Sequence, residues 1–248
     1  MTIARTFHRN FGDPGLFGRG VRVLAEMMGL RRRQVATALA WLLALLMLFG
    51  LQGSPAFDGP RVIQQSQRMG PVAAARAQAL VHEIGELSQQ DEAARLAGIN
   101  AFFNRQVLYR DDLSVWGVPD YWATPLETLA KGMGDCEDYA VGKYFSLLAA
   151  GVPGVKMRLV YVRAQFAGGI QAHMVLAYYP QPDAEPLILD NLVTDIRPAS
   201  RRPDLTPVFS FNAEGLWQGV GASSAGDPVA RLSKWRELLS KVKAEGWW

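Results

Sequence analysis

The hydrophobic period of this chain changes from helical to strand-like after Gly151-Val152-Pro153-Gly154. Before it, apolar residues recur at three- and four-residue spacing, as in Ala79, Leu80, Ile84 and Leu87, then Leu96, Ile99, Phe102 and Phe103. After it, Met157 to Gln165 alternates around Leu159, Tyr161 and Val162, Gly168-Gly169 makes a turn, and His173 to Tyr179 and Leu187 to Leu192 read as further strands. The first spacing is one face of a helix and the second one face of a strand. Helices gathered in one part and hairpin-linked strands in the next must pack as separate layers, so the fold class is α+β, with a helical N-terminal part on an antiparallel sheet. The 49% of hydrophobic residues is ample for such a core.

Local signals set the element ends. Pro71 suits a first helical turn, Asp91 opens a second helix, and Thr124-Pro125-Leu126-Glu127 combines an N-cap, a proline at the first position and a capping-box glutamate. Gly132 and Gly134 end that third helix and deliver Asp135 and Cys136 to the start of a fourth, which runs to about Ala150. Gly59 to about Gly70 reads as a polar connector, and Tyr109 to Trp122 as a loop rich in aromatics and acids. Pro207 to Phe211 carries a weaker strand pattern, and Val229 to Trp248 reads as one closing helix.

The N-terminus is of another kind. Arg5, Arg9, Arg19, Arg22 and Arg31 to Arg33 are opposed by Asp13 and Glu26 alone, and Val35 to Leu51 is an uncharged run with six leucines between Leu39 and Leu48. Basic residues before an apolar run hold that end in the cytoplasm. We therefore divide the chain into a basic cytoplasmic segment (1–34), a signal peptide or membrane anchor (35–56) and an exported domain (57–248). The net charge of only +3 is concentrated at that N-terminus, which argues against nucleic acid as a partner.

The chemistry centres on Gly134-Asp135-Cys136-Glu137-Asp138-Tyr139-Ala140, which holds the only cysteine of the chain among three carboxylates. A structural thiol sits among apolar neighbours, and these neighbours are not apolar. A thiol nucleophile needs a histidine beside it and an acceptor that fixes the imidazole. His173, opening one strand, and Asp190, ending the next, supply both, and a helix N-terminus favours the thiolate of Cys136. Each has a plainer reading, as a polar strand residue and as turn chemistry; it is their joint placement that points to catalysis. The flanking acids oppose a thiolate unless neutralised. They suit a hard cation such as calcium, or they merely serve the helix dipole. For the oxyanion, the backbone N–H of Cys136 is well placed, with an indole of Trp116 or Trp122 as a second donor.

Taken together, Tyr121-Trp122-Ala123-Thr124-Pro125, the run around Cys136, Ala172-His173-Met174-Val175-Leu176 and Leu189-Asp190-Asn191-Leu192 resemble the bacterial transglutaminase-like cysteine proteinases. The resemblance spans about residues 60 to 215. It implies a papain-like, transglutaminase-type fold with Cys136 as nucleophile, His173 as base, Asp190 as orienting acid, and calcium on Asp135, Glu137 and Asp138. It further implies a periplasmic protease that cuts a large cell-surface adhesin at a pair of alanines near its N-terminus, thereby controlling biofilm adhesion. An inner-membrane receptor for cyclic di-GMP is the implied sequestering regulator. Two other readings share the residues: acyl transfer to an amine by the same triad, and a binding or scaffold module without catalysis.

Overall fold

A computed structural model describes residues 57–166, 168–221 and 224–248. The basic segment 1–34 and the apolar run 35–56 lie outside the described residues. Among those described, no helix is long and apolar enough to cross a membrane.

The helical part comprises α1 (Gly59–Arg68), α2 (Pro71–Ser88), α3 (Glu92–Gln106), a short strand β1 (Leu108–Tyr109), α4 (Asp112–Trp116), α5 (Pro125–Lys131), a short strand β2 (Met133–Gly134) and α6 (Cys136–Ala149). The sheet follows: β3 (Met157–Phe166), β4 (Gly169–Tyr178), β5 (Leu187–Leu189), β6 (Arg197–Pro198), β7 (Leu205–Phe211), β8 (Leu216–Gln218) and β9 (Ser224–Gly226), before α7 (Pro228–Arg231) and α8 (Ser233–Glu245). Its order is β6-β5-β4-β3-β7-β8-β9, with antiparallel neighbours throughout. The α+β expectation holds.

Strand alternation gives the sheet two apolar faces. Leu159, Met174, Leu176, Leu189 and Phe211 join the helices in the main core, with Leu80, Ile99, Phe103, Phe145 and Trp235. Val160, Val162, Val175, Ala177 and Ile188 form a smaller cluster on the other side. Helix α6 lies within the main core, where Tyr144, Phe145 and Leu147 are buried. That packing fixes the height at which its first residue, Cys136, meets the sheet.

Several ends fall where local chemistry puts them. Thr124 Oγ1 accepts from the Glu127 N–H at 3.1 Å, and Glu127 accepts from the Thr124 N–H at 2.8 Å, a complete capping box. Gly132 closes α5 at φ 64°, a conformation in which a Cβ costs energy.

Other expectations need correction. Residues 59–68 are helical rather than a connector. Asp58 caps that helix, and it is held by contacts remote in sequence: Asp58 N–H to the Gly246 carbonyl at 2.8 Å and Arg61 Nε to the Ala244 carbonyl at 2.9 Å. The aromatic loop contains α4, capped by Asp111 and ended by Gly117 at φ 74°. The closing helix is two helices, because Leu232 is extended between them. His173 lies within β4 rather than at its start, and β5 ends at Leu189.

Candidate active site

The site is assembled where α6 meets β4. Cys136 occupies the first position of α6, so its N–H is one of the helix-end donors without an intrahelical acceptor. Its sulfur lies against the backbone N–H of Met174, the residue after His173. The thiol also donates to Glu137 Oε2 at 3.0 Å. Burial, then the negative charge of Glu137 and its hydrogen bond, push the thiol's pKa far up, while the Met174 N–H pulls it down.

His173 and Asp190 meet. Strand register sets Leu176 opposite Leu189, so Asp190 falls diagonally across from His173. Nε2 of His173 is 2.8 Å from Asp190 Oδ1, and both side chains are buried. A carboxylate only accepts, so Nε2 carries the proton and Nδ1 is the nitrogen left to act as base. Burial would raise the Asp190 pKa, but the His173 hydrogen bond and charge, with Arg202, hold it at about 2. The Asp190 carbonyl is gripped as well, by Lys143 Nζ at 2.9 Å and Asn104 Nδ2 at 3.1 Å. Lys143 is wholly buried two turns along the helix that carries Cys136.

The acids extend beyond the three expected. Asp112, Asp135 and Asp138 bring carboxylate oxygens within 4.8 Å of one another, and Asp112 forms a second such group with Asp120 and Glu137. Asp112 comes from a remote stretch. The short β1 pairs in parallel with β2, and the Arg110 N–H donates to the Gly134 carbonyl, which lays residues 108–112 beside the Asp135 turn. One oxygen on each of Asp112, Asp135 and Asp138 is buried without a hydrogen-bond partner. A Cβ at Gly134 would lie 2.5 Å from Asp138 Oδ2, so the turn closes tightly over the group. Burial pushes all three acids up, Asp112 to about 6. Unpartnered, mutually repelling carboxylate oxygens are the donor set a hard divalent cation takes. These residues therefore fit calcium, with Asp112 a member that sequence reading did not assign. Its acidic loop was the available signal.

Both tryptophans pack against aromatic rings. Trp122 stacks on Phe211 at 5.7 Å, and Trp116 packs on Tyr121 at 4.4 Å with its Nε1 buried and unpartnered.

The family model for bacterial transglutaminase-like cysteine proteinases matches residues 74–205, more than half of the chain. The chain belongs to that family. Among solved structures it is similar to Legionella pneumophila LapG: 39% identity over 76% of this chain and 99% of that one, with a TM-score of 0.66. The EGTA-treated form gives 40% identity, the same coverages and 0.67. The calcium-bound form gives 39% identity, 75% and 99% coverage, and 0.65. A comparison with curated proteins finds no match. The family makes this chain a cysteine peptidase of transglutaminase-like fold.

Proposed function

We propose that the chain is a calcium-dependent periplasmic cysteine endopeptidase, exported by its N-terminal apolar run. Its substrate is the N-terminal region of a large surface adhesin, whose release it controls under a cyclic di-GMP receptor of the inner membrane. The observation that carries the reading is the buried His173–Asp190 pair, with Cys136 held against the neighbouring Met174 N–H at a helix start.

In the chemistry this supports, the Cys136 sulfur attacks the scissile carbonyl carbon, and the Cys136 N–H faces the oxyanion. His173 accepts the thiol proton and passes it to the leaving amine. It then takes a proton from water as the water oxygen adds to the thioester, and returns that proton to the expelled sulfur. Asp190 keeps the imidazole in one tautomer throughout. Asp112, Asp135, Glu137 and Asp138 would hold calcium, whose charge offsets theirs beside the sulfur. The calcium-bound form of the LapG homologue and the unpartnered carboxylate oxygens support this ion.

The test incubates the chain with adhesin N-terminal fragments, with and without chelator, and compares it with Cys136→Ala. Cleavage that needs both calcium and Cys136 supports the reading; cleavage by Cys136→Ala, or full turnover in excess chelator, contradicts it.

A further inference from the structure

Asp190 is held from a third side by a residue no catalytic motif includes. Its Oδ1 accepts from the Asn191 and Leu192 N–H groups at 2.7 and 3.2 Å as well as from His173, while its Oδ2 accepts from Arg202 Nη2 at 2.7 Å. Arg202 is 3% exposed. Its side chain serves carboxylates alone: Nε and Nη2 grip Asp204 at 3.0 and 2.7 Å, and Nη1 is buried without a partner. Leaving a buried guanidinium nitrogen unsatisfied costs stability. A residue needed only to anchor its loop would find Asp204, which is 29% exposed, nearer to water.

The charges explain the pairing. Arg202 alone would cancel the Asp190 charge and weaken its hold on an imidazolium. Asp204 offsets the guanidinium, so Asp190 keeps its negative charge toward His173 while its geometry stays fixed by a bidentate-held fork. With His173 neutral, the four groups sum to one negative charge; protonation of the ring brings them to zero. Lys143, from the helix that carries Cys136, also faces this network, through the Asp190 carbonyl.

We propose that Arg202 and Asp204 form a positioning pair for the orienting acid: Arg202 aims the Asp190 carboxylate at the imidazole, and Asp204 offsets the guanidinium charge so that the imidazole still meets a net negative charge. This rests on the assignment of His173 as base.

The test uses the full chain with calcium, following the His173 ring by NMR across pH. Arg202→Met should move the ring's titration midpoint upward and Asp204→Asn should move it downward, each by about one pH unit. Arg202→Lys should restore most of the midpoint but not the geometry, leaving peptidase turnover about tenfold low. Asp204→Asn lies at the surface and keeps the measurement available should Arg202→Met fail to fold. Shifts of the same sign in the two variants, or no shift in Asp204→Asn, overturn the pair. Iodoacetamide labelling of Cys136 in His173→Ala separates the two levels. A slowed rate with absent shifts sinks this inference alone, and an unchanged rate sinks the base assignment and the pair with it.

Discussion

The Cys136 thiol donates to Glu137 Oε2 at 3.0 Å, so without a cation the nucleophile is held by the acid next to it. A carboxylate there both accepts the proton's hydrogen bond and repels the thiolate. Glu137→Gln should therefore have two opposite effects. In chelator it should raise the rate of Cys136 alkylation about tenfold, the gain expected for each pKa unit removed. In calcium it should raise the ion concentration needed for activity. Alkylation followed by mass spectrometry under both conditions checks the pair of outcomes.

Asp112 is the acid whose role the structure adds. Asp112→Asn should raise the calcium concentration for half-maximal activity by roughly 10- to 100-fold, the size of a charge-assisted contact of about 1.5–3 kcal/mol. Turnover at saturating calcium should change little. Calcium titration of peptidase activity measures this, and an unchanged half-point removes Asp112 from the ion's ligands.

The same residue gives stability a pH signature. Its pKa is raised from 3.8 to about 6 by burial, so folded protein binds more protons than unfolded between those values. Its contribution is full below about pH 4 and lost as pH rises through about 6. Asp135 and Asp138 are raised in the same direction. In chelator, Tm should fall across this window, and calcium or Asp112→Asn should flatten the fall. Thermal melts from pH 4 to 7 decide it.

Lys143 separates stability from catalysis. Burial lowers its pKa from 10.5 to about 7, so folding is favoured progressively as pH rises between those values. Lys143→Met fills similar volume without a buried amine and should keep or raise Tm at neutral pH, removing that rise. It loses one of two donors to the Asp190 carbonyl, and peptidase turnover should drop about tenfold, as for other outer-shell partners.

What was legible in the sequence was what neighbours determine. The capping box at Thr124, the αL glycine at 132 and the cap at Asp91 all act within four residues, and each stands where the pattern put it. Helix α1 was not legible, because Val62 is its one buried large apolar residue and its anchors lie over 180 positions away. Asp112 read only as one acid of an aromatic and acidic loop; what joins it to Asp135 is the β1–β2 pairing. Arg202 follows a short 3₁₀ turn with no periodicity, so nothing local announces its reach to Asp190.

The central claim is that Cys136 is an activated nucleophile with His173 as its base. Because the chain has a single cysteine, iodoacetamide uptake at pH 7 reads that sulfur alone. The account predicts uptake well above that of a free thiol in calcium, falling below the free-thiol rate in chelator, where burial and Glu137 hold the proton on the sulfur, and falling toward it in His173→Ala. Uptake in calcium no faster than a free thiol, with His173→Ala making no difference, contradicts it.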